Sequence, residues 1–130
     1  MVAKDILNNA LTSIRNAERV GKSECIINET SKLVIEILKI FQRHGYIGEF
    51  EVIESIYAKP AIVKLTHKIN NCQVIKPRFY VTKKEILEKE IQYLPARDVG
   101  LLILTTSKGI LTHKEAKEKG VGGALLCYVY

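Results

Sequence analysis

The chain has 130 residues, 47% hydrophobic and 26% charged, which is enough to bury a core in one soluble unit or two very small ones. Twenty Lys and Arg against 14 Asp and Glu give +6, and the excess is uneven: residues 66–130 hold 11 basic and 6 acidic side chains, residues 1–65 hold 9 and 8. No apolar run reaches the roughly 18 residues of a membrane span, no signal pattern opens the chain, and Cys25, Cys72 and Cys127 form no CxxC pair. A cytoplasmic protein with no membrane partner is therefore expected, with buried reduced thiols and neither disulfide nor metal.

From Asp5 to Glu18, the residues Leu7, Ala10, Leu11, Ile14 and Ala17 recur at helical spacing and predict an amphipathic helix, with Asn8, Asn9, Thr12 and Arg15 on its other face. Gly21 ends that unit, and "ECIIN" at 24–28 reads as a short strand. Thr30 or Ser31 caps a second helix through His44, with Leu33, Val34, Ile37, Leu38 and Phe41 as its apolar face and Gly45 as its stop. The period then changes to two: "YIGEFEVIESI" from Tyr46 alternates as a strand does, and "AIVKLTH" at 61–67 is its antiparallel partner across a turn at Pro60.

Asn70-Asn71 marks another turn, and a polar crossing from it to Pro77 joins two halves, divided here as 1–65 and 66–130. In the second half "RFYVT" at 78–82 is a strand, and Lys84 to Tyr93 reads as a helix from Ile86, Leu87, Ile91 and the following Leu94. A strand from Leu101 to Thr105 leads into a turn at Thr106–Gly109 and then two apolar residues. Thr112 and Glu115 form a capping box for a helix from His113 to Lys119 that stops at Gly120, and "ALLCYVY" closes as a strand. The fold class is α+β in two small domains: an N-terminal α/β half with two helices on a short sheet, and a strand-rich C-terminal half with a short helix.

The stretch "LTTSKGILTHKEA" sets three hydroxyls, a lysine and a glycine at the end of an apolar strand. Thr112 is accounted for by capping, which leaves Thr105, Thr106 and Ser107. A phosphate loop needs glycines ahead of its Lys-Ser pair, and this order is reversed. A serine nucleophile needs a base and an elbow, and His44, His67 and His113 complete no such constellation, so no catalytic residue, cofactor or metal is assigned. Nucleic acid fits better. Hydroxyls donate and accept, so three on a tight turn can meet base edges, a phosphate and a ribose hydroxyl, while Lys108 adds charge and Gly109 lets the backbone approach. The alternative is a plain polar turn. Arg78, Lys83, Lys84, Lys114, Lys117 and Lys119 around the same half favour a polyanion, and Tyr80 in a lysine-flanked strand is either a stacking platform for a base or an edge-strand or core tyrosine.

"GLLILTTSKGILTHKEAKEKGVGGALLCYVY" from Gly100, with "DILNNALTSIRNAERVGK" and "SKLVIEILKIFQRHGYI" in the first half, closely resembles the small-subunit ribosomal protein eight family, in its archaeal or eukaryotic-like branch. The resemblance spans nearly the whole chain. It implies a primary binder of the central domain of small-subunit rRNA that helps assemble that region, a monomer outside the ribosome with neighbouring ribosomal proteins as partners inside it. It makes the C-terminal domain the RNA-binding one. The family's hydroxyl loop falls on Thr105, Thr106 and Ser107 followed by Lys108 and Gly109, its tyrosine on Tyr80, and its glycine pair on Gly122 and Gly123. N-terminal contacts fall on Ser31, Lys32 and Lys59. Thr105 stands where bacterial members usually carry serine, and Ala124 where a glutamate often follows the glycine pair. The competing reading is an RNA-binding translational regulator acting on messenger RNA, its own included.

Overall fold

The computed structural model describes residues 6–53, 59–75, 80–96 and 99–130. They form two compact units, Met1–Asn71 and Cys72–Tyr130, so the division falls beside the Asn70-Asn71 turn rather than at residue 65. The architecture is mixed α+β, with two antiparallel sheets.

In the first unit, helix α1 (Ile6–Arg19) buries Leu7, Ala10, Leu11, Ile14 and Ala17, the stripe expected of it. Helix α2 (Lys32–Arg43) starts where the Ser31 side chain accepts a hydrogen bond from Val34 N at 3.3 Å, which satisfies one of the four otherwise unpaired N–H groups of a helix start. Its buried face is Val34, Ile37, Leu38, Ile40 and Phe41. Ile40 therefore takes a core place expected for Leu33, which is only half-buried. Gly45 adopts the left-handed φ of +80° that the stop requires. The strands β1 (Glu24–Ile27), β2 (Ile47–Val52) and β3 (Ala61–Leu65) pair antiparallel in the order β1-β3-β2. Residues 54–58 of the longer strand expected from Tyr46 lie outside the described residues.

The second unit is organised around its last strand. Strand β8 (Gly123–Val129) pairs with β6 (Leu101–Thr106) along one edge, and with β4 (Cys72–Val74) and β5 (Tyr80–Val81) along the other. Strand β4 falls inside what the sequence reads as a polar crossing, and Cys72, Val74 and Ile75 there are buried. Strand β7 (Gly109–Thr112), expected only as a turn and two apolar residues, completes a hairpin with β6. Helices α3 (Ile86–Tyr93) and α4 (His113–Lys119) follow the expected positions. The core joins Ile75, Val81, Ile86, Leu94, Leu102, Leu104, Ala116 and Leu125. Leu87 and Ile91 of α3, in contrast, are 53% and 73% exposed. Cys25, Cys72 and Cys127 are all buried, as expected. No described helix is long and apolar enough to cross a membrane.

Candidate nucleic-acid interface

Residues directly opposite one another in an antiparallel sheet project to the same face. Tyr80 pairs with Ala124, Ala124 with Thr105, and Thr105 with Ile110, so these four make one row across β5, β8, β6 and β7. Strand spacing puts Tyr80 about 10 Å from Thr105 along that row. The neighbouring positions Val81, Leu104 and Leu125 belong to the core, so the row faces away from it. Tyr80 is 70% exposed on an edge strand and is not a core tyrosine; Tyr93, Tyr128 and Tyr130 stack among themselves instead, with ring centroids 5.6 and 6.0 Å apart.

The row is held by the glycine pair. A Cβ on Gly123 would collide with the carbonyl oxygen of Thr105 and lie 2.8 Å from Thr106 Cγ2; one on Gly122 would collide with Val81 O and lie 2.9 Å from Thr82 Cα. The two glycines therefore set how closely the chain around Tyr80 and the chain entering the hydroxyl turn approach β8.

Thr106 pairs with Gly109, leaving Ser107 and Lys108 as a two-residue hairpin loop. Neither loop residue has a positive φ, and the φ of +109° falls on Gly109. The Thr106 hydroxyl donates to Gly109 O at 2.8 Å and accepts from Lys108 N at 3.1 Å, so this member of the trio fastens the turn. Among the described residues the hydroxyls of Thr105 and Ser107 have no protein partner, and Ser107 and Lys108 are exposed at the tip. Thr106→Val should accordingly cost about 1 kcal/mol of stability through the lost turn bonds, measured by chemical denaturation; an unchanged midpoint would mean the turn holds without them.

In the first unit, the Thr30 hydroxyl donates to Lys59 O at 2.6 Å, bringing Lys59 to the start of α2 beside Ser31 and Lys32. Lys32 and Lys59 are exposed where the helix dipole is positive. Ser31 spends its side-chain oxygen on the cap. Arg78 lies outside the described residues.

One constellation escaped the sequence reading. His113 is fully buried; its Nδ1 accepts from Leu102 N at 3.1 Å, so the ring proton of the neutral form sits on Nε2. That Nε2 lies 3.3 Å from Glu90 Oε1, in a contact not aligned as a hydrogen bond, and Glu90 Oε2 accepts from Lys117 Nζ at 2.8 Å. Burial pushes the His113 imidazole below its ordinary pKa, against the smaller upward pull of the Glu90 carboxylate. Burial raises Glu90, but the Lys117 bond and the His113 and Lys117 charges together outweigh it and hold the carboxyl below its usual range. The group ties α3, α4 and the start of β6 together, and it pairs Lys117 with a carboxylate.

Chemically, the row and the adjoining loop offer an aromatic face for stacking, two unengaged hydroxyls and an exposed lysine at the hairpin tip. No cluster of metal-ligating side chains occurs among the described residues. The family model for ribosomal protein S8 matches residues 5–130. The chain is 49% identical over 130 residues to small ribosomal subunit protein uS8 of Caldivirga maquilingensis and 46% identical over 130 residues to that of Pyrobaculum neutrophilum, with 100% of each chain covered in both comparisons.

Proposed function

Because this chain belongs to the ribosomal protein S8 family, and is thus a protein of the small ribosomal subunit rather than an enzyme, we propose that it is a primary binder of the central domain of small-subunit rRNA. In this reading it joins the particle as a monomer in the cytoplasm and helps shape that region during assembly. The observation that carries the proposal is the outward row of Tyr80 and Thr105, which runs into the Ser107–Lys108 tip in the more basic half of the chain. A-form duplexes hide their base edges in a deep groove, so sequence is read where a helix is irregular, by stacking and by hydrogen bonds to splayed bases. Tyr80 supplies the stacking surface, while Thr105 and Ser107 supply donors and acceptors within reach of base edges and ribose hydroxyls. Lys108 meets a phosphate, and Gly109 lets the RNA backbone close on the turn. Thr106, Gly122 and Gly123 act indirectly by holding these groups in place. Lys32 and Lys59 at the start of α2, with Ser31 as the cap between them, offer a second phosphate contact. Arg78 adds charge beside Tyr80 in sequence.

The test is Ser107→Ala. Its hydroxyl is exposed and unengaged, so stability should stay within about 0.5 kcal/mol, while affinity for an rRNA fragment containing the irregular helix should drop by roughly 1–3 kcal/mol. Affinity for unrelated RNA should hardly change, because that component is electrostatic. A mutant with normal melting and normal rRNA affinity would remove the direct contact. Lys108→Ala is expected to behave differently, flattening the plot of log affinity against log salt by about 0.7–0.9 for one lost phosphate contact. An unaltered slope would take Lys108 out of the interface.

A further inference from the structure

The three-stranded sheet of the N-terminal unit buries one face and exposes the other. On the exposed face Glu24 pairs with Lys64, Ile26 with Ile62, and Ile62 with Glu51, while Glu49 stands two residues from Glu51 on the same strand. All four charged side chains are exposed, and Ile26 is 63% exposed. A depression of about 150 Å³ lies among Glu49, Glu51, Ile62 and Lys64. Three carboxylates and one ammonium leave this face at −2 on a chain that is +6 overall.

Such a face repels phosphates, which disfavours RNA as its ligand, and the exposed Ile26 beside the half-buried Ile62 gives it an apolar centre. An apolar centre inside a charged rim is the anatomy of a protein interface. The sign of the rim selects a partner rich in Lys and Arg, which is the composition demanded of polypeptide that must lie on RNA. Among the described residues β1 and β2 are the two edges of this sheet, where an extended segment can add main-chain hydrogen bonds. We infer that the outer face of the β1-β3-β2 sheet docks a basic, apolar-bearing segment of another protein of the small subunit. The inference rests on the chain's place in the small subunit and is independent of the Tyr80–Ser107 contacts.

Carbodiimide labelling of carboxyls, read by mass spectrometry at Glu24, Glu49 and Glu51, tests it on the full chain in three states: free, bound to naked small-subunit rRNA, and within assembled small subunits. Labelling should be the same in the first two states and fall to background in the third. Protection by rRNA alone would make nucleic acid the occupant, and undiminished labelling in the assembled subunit would leave the face vacant; either result overturns the inference. The double variant Glu49→Lys, Glu51→Lys changes only exposed positions. It should bind naked rRNA at least as well as the parent, yet retain one other small-subunit protein at least about tenfold more weakly in reconstituted particles, because it sets like charges against each other. Full retention of every protein by that variant would also overturn it. Failure of the parent chain to bind naked rRNA would count against the Tyr80–Ser107 reading, and the comparison of free chain with assembled subunit would still decide this one.

Discussion

Replacing Gly123 by alanine is expected to cost about 3 kcal/mol, and to weaken rRNA binding beyond what the lost stability explains. The added methyl would collide with the Thr105 carbonyl oxygen and crowd Thr106 Cγ2 and the Thr105 carbonyl carbon, at 2.8 and 3.0 Å. These are backbone and β-branched atoms that cannot rotate away, so β6 must shift relative to β8. Thr105 and the Ser107–Lys108 tip move with it. Melting followed by a probe of the C-terminal unit should shift down by roughly 10 °C. Gly109→Ala makes a useful contrast. A Cβ there meets nothing within 4 Å, and the cost comes from its φ of +109°, so the tip is disturbed without separating the strands. A loss below about 1 kcal/mol for Gly123→Ala would mean that the sheet spreads more easily than its register implies.

The second large effect concerns acid. With its pKa held below that of the unfolded chain, His113 takes up a proton more readily when unfolded, so its contribution is complete above about pH 6.5 and declines as the pH falls below that value. Glu90 is also held low, and what it contributes above about pH 4.5 is lost as the pH falls further. The two contributions share a sign, so stability should fall in two stages, one beginning below about pH 6.5 and the other below about pH 4.5. Protonating Nδ1 also sets a proton against the Leu102 N–H, near the start of the strand that carries the hydroxyl turn. His113→Leu should cost about 1–3 kcal/mol at pH 7, because it leaves that N–H unpaired. It should also flatten the pH dependence between 6.5 and 5 and shrink the lower stage, because the His113 charge is one of the groups that hold Glu90 low. Urea unfolding across this range measures both, and an equally steep upper stage in the variant would assign it to another group.

The elements that depend on local pattern were legible in the sequence. All five stripe residues of α1 are buried, both side-chain caps are the hydroxyls beside their helices, and Gly45 and Gly120 end helices with positive φ. What escaped depends on distant residues. Cys72–Val74 alternates for only three positions between an asparagine pair and a proline, and it becomes a strand because β8, more than fifty residues later, offers an edge. In α3 a periodicity argument favours Leu87 and Ile91 as core, yet they face solvent while Glu90 turns inward, since His113 and Lys117 are there to receive it. The candidate interface divides in the same way. Its hydroxyl turn, lysine and charge were readable from the residues, and the resemblance in sequence supplied the glycine pair. Which of three adjacent hydroxyls is consumed by the turn and which remain unengaged was not readable, because that is settled by the pairing of Thr106 with Gly109.

Strand β8 receives β4 and β5 on one edge and β6 on the other, and it is the latest of these to be synthesised. A nascent chain therefore displays Tyr80 and the hydroxyl hairpin before anything can align them, since Ala124 is the residue that both Tyr80 and Thr105 pair against. Until then the lysines already made can attract any polyanion without selectivity. If the proposed interface is the one that reads RNA, discrimination is withheld until β8 has been made and has paired, and a truncated product lacking this strand should compete for RNA by charge alone.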